Sequence, residues 1–230
     1  MSPARRWPVV VAVVALVAGL AAVAYFTPLM SVRAVSVHGL ESGSTLTADQ
    51  VVAAAQVPKG RPLLQVNTAQ AAHRVAAIAA VETARVRRQY PSAIEVIVVE
   101  RRPVVRVETD RAVHVLDRLG VSYRHYDRGV AVPPGVAGLP LLSTPSPGPT
   151  DPATTAALGV VAGLPPDLRA SVVAVEAQSP VDLSFRLKNG ATVVWGDSTR
   201  ADDKAVAWRA IITRRGTLYN VSSPDYPSYR

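Results

Sequence analysis

The 230-residue chain contains no cysteine. That absence rules out disulfides, thiol chemistry and Cys-bearing zinc sites, so packing alone must hold the fold together. Charge is missing from one long stretch, Pro8–Phe26, which reads PVVVAVVALVAGLAAVAYF. As a helix rising about 1.5 Å per residue, this run matches a bilayer core of about 30 Å. Helix is the expected form because backbone amides in hydrocarbon must be satisfied internally. Arg5 and Arg6 favour a cytoplasmic N-terminus, and Trp7, Tyr25 and Phe26 sit where interfacial aromatic residues belong. The expectation is a cytoplasmic tail over 1–7, a single transmembrane helix over 8–26 and the bulk of the chain outside. A cleaved signal peptide is the rival, with Ala22-Val23-Ala24 as its cleavage site; the run exceeds the usual h-region of about 7–15 residues.

Concentrated charge is also missing. The net charge is +8, but residues 31–103 carry 9 basic and 5 acidic side chains and residues 104–230 carry 14 and 12. Without a basic tract or an aromatic-interleaved patch, nucleic acid is excluded as a partner class. What is left is an unspecific attraction to anionic lipid or cell-wall polymers.

Motifs that carry chemistry are absent too. Histidines 38, 73, 114 and 125 lack metal-ligand spacing, and the chain has no HExxH, HxH, G-x-S-x-G, S-x-x-K or P-loop. A Ser-His-Asp triad is set by folding rather than spacing and stays open. The richest polar cluster, Tyr123-Arg124-His125-Tyr126-Asp127, reads as a loop with amphipathic tyrosines, ahead of a glycan or peptide site. Asp202-Asp203 reads as acids interacting with a helix dipole, ahead of a carboxylate site. No cofactor and no metal is implied.

The chain beyond residue 30 has a legible order. Val32–His38 is β-rich and ends in a His38-Gly39 turn. Thr47-Ala48-Asp49-Gln50 is a capping box that opens a short helix ending before Pro58. Thr68 is the expected cap of a second helix over 69–79. Strands come next over 81–88 and 94–100, with Tyr90-Pro91-Ser92 as the turn. The period of each element places Val35, Val37, Val52, Leu64, Val75, Ile78, Val86 and Ile94 in one core. The later part is mostly β: strands over 104–108, 113–116, 172–177, 181–187 and 191–195, with a helix over 153–163 between them. Asp197 or Ser198 is expected to cap a helix running to about Arg215, with Ala205, Trp208, Ile211 and Ile212 on its buried face. Leu218–Ser222 is read as the final strand, before a proline-punctuated tail.

Taken together, VRAVSVHG, KGRPLLQVN and VETARVRRQYPSAIEVIVVERRPV resemble a POTRA domain. Placed after a single anchor and followed by LDRLGV, LP and WGDSTRADDKAVAW, they resemble the bacterial FtsQ/DivIB cell-division family over nearly the whole chain. Arginine's excess over lysine fits a GC-rich bacterium. The resemblance implies an α+β fold: a transmembrane helix, a β-α-α-β-β POTRA domain over 31–103, an FtsQ-type β domain over 104–222 with flanking helices, and a tail over 223–230. It implies a non-enzymatic divisome scaffold at the septum that binds FtsB-like and FtsL-like proteins outside the membrane, other divisome components meeting the POTRA domain. It further implies a role in recruiting and regulating septal peptidoglycan synthesis. The family's partner contact is a C-terminal sheet edge and its adjoining helix, which here match Trp208, Arg215, Leu218, Tyr219, Asn220, Val221 and Ser222. With no later strand read in the sequence, Leu218–Ser222 is the expected free edge. The alternative class is a membrane-anchored or secreted envelope enzyme or ligand-binding protein, whose sign would be a deep pocket with convergent polar groups.

Overall fold

The structure, a computed structural model, describes residues 7–26, 30–41 and 44–230. The tail bearing Arg5 and Arg6 lies outside them. The chain divides into two compact units, Met1–Glu100 and Arg101–Arg230. The apolar run forms α1, Trp7–Phe26. The side chains of Pro8, of residues 20–24 (with Ala22-Val23-Ala24) and of Phe26 lie outside the described ones. Among the described residues no helix is long and apolar enough to cross a membrane. The anchor reading therefore rests on the sequence of the run.

The rest of the first unit comprises β1 (Ala34–His38), α2 (Ala48–Ala55), a 3-10 turn (Leu63–Gln65), α3 (Thr68–Ala76), β2 (Val81–Gln89) and β3 (Ala93–Glu100). The expected β-α-α-β-β order is present. Its sheet runs β1-β3-β2, with β1 parallel and β2 antiparallel to β3. The two helices lie between β1 and β2, and β2 then carries the chain back to the other end of the sheet, so that β3 enters parallel to β1. The capping box of α2 is formed: Thr47 Oγ1 accepts from Gln50 N at 3.2 Å and Gln50 Oε1 from Thr47 N at 2.9 Å. Gly39 has φ +90° and leaves no room for a Cβ, which would lie 2.1 Å from the Val98 carbonyl oxygen; only glycine turns the chain there. Arg88 donates to the Leu63 and Val66 carbonyls at 2.8 and 2.7 Å, tying the strand to the turn between the helices.

Three expectations for this unit are corrected. Asn67, not Thr68, caps α3, its side chain accepting from Gln70 N at 2.9 Å. Leu63 is wholly buried and Leu64 is 36% exposed: at three residues per turn the 3-10 segment points successive side chains about 120° apart, and Leu63 takes the inward position. Val51 rather than Val52 turns into the core. Val75, Val86 and Ile94 are buried as expected, and Val35, Val37 and Ile78 pack on the same core while staying partly exposed.

The second unit is built of β4 (Val105–Glu108), β5 (Ala112–Leu116), β6 (Ser122–Asp127), α4 (Pro134–Ala137), β7 (Leu141–Ser143), α5 (Pro152–Gly163), α6 (Pro166–Ser171), β8 (Val172–Ser179), β9 (Asp182–Leu187), β10 (Thr192–Gly196), α7 (Ala201–Ile211), β11 (Leu218–Asn220) and β12 (Ser228–Tyr229). All the strands belong to one nine-stranded sheet, ordered β12-β11-β10-β9-β8-β7-β4-β5-β6. Alternate residues Leu183, Phe185 and Leu187 of β9 and Ala191, Val193 and Trp195 around β10 share one core with Leu158 and Val161 of α5 and Ala205, Trp208 and Ile211 of α7. The Tyr123–Asp127 cluster is not a loop; it is most of β6, paired with β5 through His114↔His125 and Val115↔Arg124. Strand pairing there overrides a local sequence with no apolar alternation.

Two stretches behind the family resemblance meet in this unit. Asp117 of LDRLGV is fully buried, pairs with Arg101 of ERRPV, and accepts from Leu119 N and Val121 N, both at 2.9 Å. A buried carboxylate is tolerable only with such partners.

A cavity-forming change reads out the corrected register directly. Leu63→Ala should cost about 2–5 kcal/mol, while Leu64→Ala should stay within about 0.5 kcal/mol. Hydrogen exchange of the β2 and β3 amides in the full chain measures both; equal effects would reject the burial difference.

Candidate functional site

The sheet edge at the C-terminal end is assembled by one crossover. β10 and β11 run parallel, in the register Thr192↔Leu218 to Val194↔Asn220, so a helix must return the chain between them. That helix is α7, and an aromatic trio fixes it. The rings of Trp208 and Phe185 stack at 5.7 Å between centroids, and Trp195 meets them edge-on at 6.3 and 5.5 Å. Such offset and T-shaped pairs are the favoured aromatic geometries.

The entry to α7 differs from expectation. Neither Asp197 nor Ser198 caps it: the N-cap is Arg200, in the left-handed region at φ 52° with no side-chain cap bond. The expected C-terminus near Arg215 is also shortened to Ile211. Asp197 instead accepts from Thr199 N at 3.1 Å and Thr199 Oγ1 at 2.8 Å, turning the chain on itself. It also meets Lys204, whose ammonium is almost wholly buried and donates to the Asp197 carboxylate at 2.6 Å and carbonyl at 2.9 Å. The same ammonium lies 5.9 Å from the Trp195 ring centroid. The Lys204 hydrogen bond, then those of Thr199, hold the Asp197 carboxyl down at about 2. Asp202 and Asp203 occupy the first turn, as the dipole reading expects.

The segment after β11 is fastened to this helix. Arg200 donates to both oxygens of Asp225, at 2.6 and 2.8 Å, and to Asp203 at 2.9 Å. This fork geometry holds the Asp225 carboxyl below its ordinary value and raises the guanidinium of Arg200. The chain then returns as β12, pairing Tyr219↔Tyr229 and Asn220↔Ser228. The expectation that no later strand covers Leu218–Ser222 is therefore corrected. Leu218 N donates to the Arg230 carbonyl at 3.0 Å, and Val221 N to the Val194 carbonyl at 2.9 Å. By alternation, Leu218 and Asn220 face β12 while Tyr219 and Val221 face β10, leaving β11 no outward donor. Arg230 N donates to the Leu218 carbonyl at 3.0 Å, so the Tyr229 N–H points away from the sheet.

The residues expected at a partner site fall into two groups. Trp208, Tyr219 and Val221 are buried, Tyr219 donating its hydroxyl to the Arg214 carbonyl at 2.7 Å. Arg215 and Ser222 are exposed, and Leu218 and Asn220 are half-buried. Two side chains that sequence reading assigned only to a tail stand out here: Tyr226 is 86% exposed and Tyr229 48%. Pro224 and Pro227 obscured them, because prolines read as loop and two residues are too few for a strand pattern. Among the described residues, no group of three His, Asp or Glu side chains stands close enough to hold a metal ion.

Comparison with known proteins agrees with this architecture. The family model described as "POTRA domain, FtsQ-type" matches residues 30–101, and "Cell division protein FtsQ/DivIB, C-terminal" matches residues 105–221. Cell division protein FtsQ of Mycolicibacterium smegmatis is 43% identical over 97% of this chain and 64% of its own length. The chain thus spans under two thirds of that relative. FtsQ of Mycobacteroides abscessus is 42% identical over 96% of this chain and 68% of its own. FtsQ of Corynebacterium glutamicum is 30% identical, with 96% of each chain covered.

Asp197, the carboxyl held furthest down at this edge, predicts a sensitivity to acid. A carboxyl whose native pKa is depressed stabilises the fold fully above its unfolded value, about 3.9. It loses that contribution as pH falls through its native value, about 2. The unfolding midpoint of the second unit in urea should therefore drop as pH falls through that window, more steeply in the native chain than in Asp197→Asn. Identical slopes would remove Asp197 from the account.

Proposed function

We propose, from the premise that this chain belongs to the FtsQ/DivIB family of cell division proteins, that it is a non-enzymatic divisome scaffold that receives a partner strand at its C-terminal sheet edge. The partner is an FtsB-like protein, with an FtsL-like protein in the same assembly, and the complex recruits and regulates septal peptidoglycan synthesis. The carrying observation is the outward N–H of Tyr229 on a short, exposed edge strand, flanked by the exposed rings of Tyr226 and Tyr229. Backbone groups of an edge supply hydrogen bonds to an added strand, and side chains supply selectivity. Exposed tyrosines are favoured contact residues, joining a large apolar face to a polar tip. Arg215 and Ser222 are exposed on either side of β11 along the chain; Trp208, Tyr219 and Val221 are buried in the core behind it.

Anchoring belongs to the same reading. The described side chains of α1 are apolar and exposed around the helix, as Val9, Val13, Leu16 and Val17 show. A helix apolar all round suits lipid rather than a core on one side. On this reading the scaffold is a single-pass protein of the plasma membrane, its N-terminus cytoplasmic, its POTRA and β domains outside and its population enriched at the septum.

Proline separates edge pairing from folding. Tyr229→Pro removes the outward donor and no bond within the sheet, so it should abolish binding of an FtsB-like extracytoplasmic segment while the unfolding midpoint holds. Tyr226→Ala should weaken binding by about tenfold. Titration of the full chain with that segment measures both; wild-type affinity in Tyr229→Pro would move the receiving surface elsewhere.

A further inference from the structure

We propose that the groove between the end of α2 and the start of α3 binds the phosphate headgroup of an anionic phospholipid. The inference rests on the anchor reading. The groove encloses about 350 Å³ and is lined by Gln56, Arg61, Gln65, Asn67, Gln70 and Arg74 among its polar side chains, with no carboxylate in the lining. Two guanidiniums and four amides offer the donors that phosphate oxygens take, and two positive charges with no carboxylate beside them favour an anion over a cation.

Placement makes the ligand a lipid. Gln65 Nε2 donates to the Tyr25 carbonyl, in the last turn of α1, at 2.8 Å. The turn that carries Arg61 is stitched to the residues just beyond α1: Val32 N donates to the Arg61 carbonyl at 2.9 Å and Gly60 N to the Val32 carbonyl at 2.8 Å. Ser31 and Pro62 form a further bridge. With α1 in the bilayer, Tyr25 sits at the interface, and the headgroup layer extends about 5–8 Å beyond the hydrocarbon on each side. A groove bonded to Tyr25 opens into that layer.

The charges there are also unspent. Arg61 is exposed and meets no carboxylate among the described residues, with Lys59 exposed two residues before it. Arg74 is held by its donation to the Ala55 carbonyl at 2.6 Å, so its guanidinium is positioned before any ligand arrives. Its Nε is buried without a partner. Basic side chains close to an anionic bilayer surface are attracted to it individually, and a groove adds geometry to that attraction.

The test uses the full chain in nanodiscs of phosphatidylcholine alone or mixed with phosphatidylglycerol. Hydrogen exchange is monitored over residues 56–74. The expected result is several-fold slower exchange in the phosphatidylglycerol discs, lost in Arg61→Gln and retained in Arg85→Gln, which changes an exposed arginine on β2. Arg61→Gln alters an exposed side chain, so its fold is maintained, and exchange in β3 checks that. A chain that fails to enter the discs overturns the anchor and the headgroup site together. A chain that enters but exchanges equally in both lipids overturns the headgroup site and leaves the anchor standing. Equal protection by inorganic phosphate in phosphatidylcholine discs identifies a free-anion site and overturns the lipid assignment.

Discussion

The stacking of Trp208 on Phe185, with Trp195 edge-on to both, is the contact on which the C-terminal half of the sheet depends. A parallel β10–β11 pair exists only if the intervening helix packs back on the sheet, and the trio is what packs it. Once α7 is fixed, Arg200 at its start is in reach of Asp225, and the chain beyond β11 is pulled into line as β12. Remove the trio and the crossover loses its anchor. The edge then has neither its strand order nor its outward donor.

The same logic explains why WGDSTRADDKAVAW is so dense in charge and aromatics. Trp195 and Trp208 belong to the trio, Asp197 and Lys204 form the bond that turns the chain into α7, and Arg200 with Asp203 and Asp225 ties down the segment beyond β11. The buried Lys204 is tolerated because its hydrogen bonds and the Trp195 ring replace water around the ammonium. ERRPV and LDRLGV behave likewise, meeting as Arg101 and the buried Asp117. The motifs that make the family recognisable are thus builders of the fold. What they build is an edge.

Much of this was legible in the sequence where local chemistry decides the outcome. The Thr47–Gln50 capping box, the helix stop before Pro58 and the strand over 94–100 all act over a few residues, and each formed as read. The misses share another cause. Asn67 and Thr68 are both good caps, and only the geometry of the preceding 3-10 turn chooses between them. Arg200 caps α7 in a left-handed conformation because Asp197 is already engaged by Lys204, a partner seven residues on. β6 and β12 are strands because a neighbour offers them backbone partners, which no periodicity in SYRHYD or SY announces. At the site, Trp208 was legible as a buried-face position, whereas Tyr219, read among the partner contacts, is buried. The exposed tyrosines were hidden by the prolines around them.

Those prolines also bear on selectivity. An open sheet has two edges, and each is a template for unwanted pairing. At one end, β6 carries Arg124, His125 and Asp127, charged or polar positions that discourage an apolar strand. At the other, β12 follows directly on Pro227. Pro227 has no N–H to offer an added strand, so backbone pairing on that side is interrupted. On the scaffold reading, a partner gains residence by also covering Tyr226 and Tyr229, so side-chain complementarity decides which strand stays. Proline at this edge thus discourages indiscriminate pairing and, on the scaffold reading, leaves partner choice to the exposed side chains.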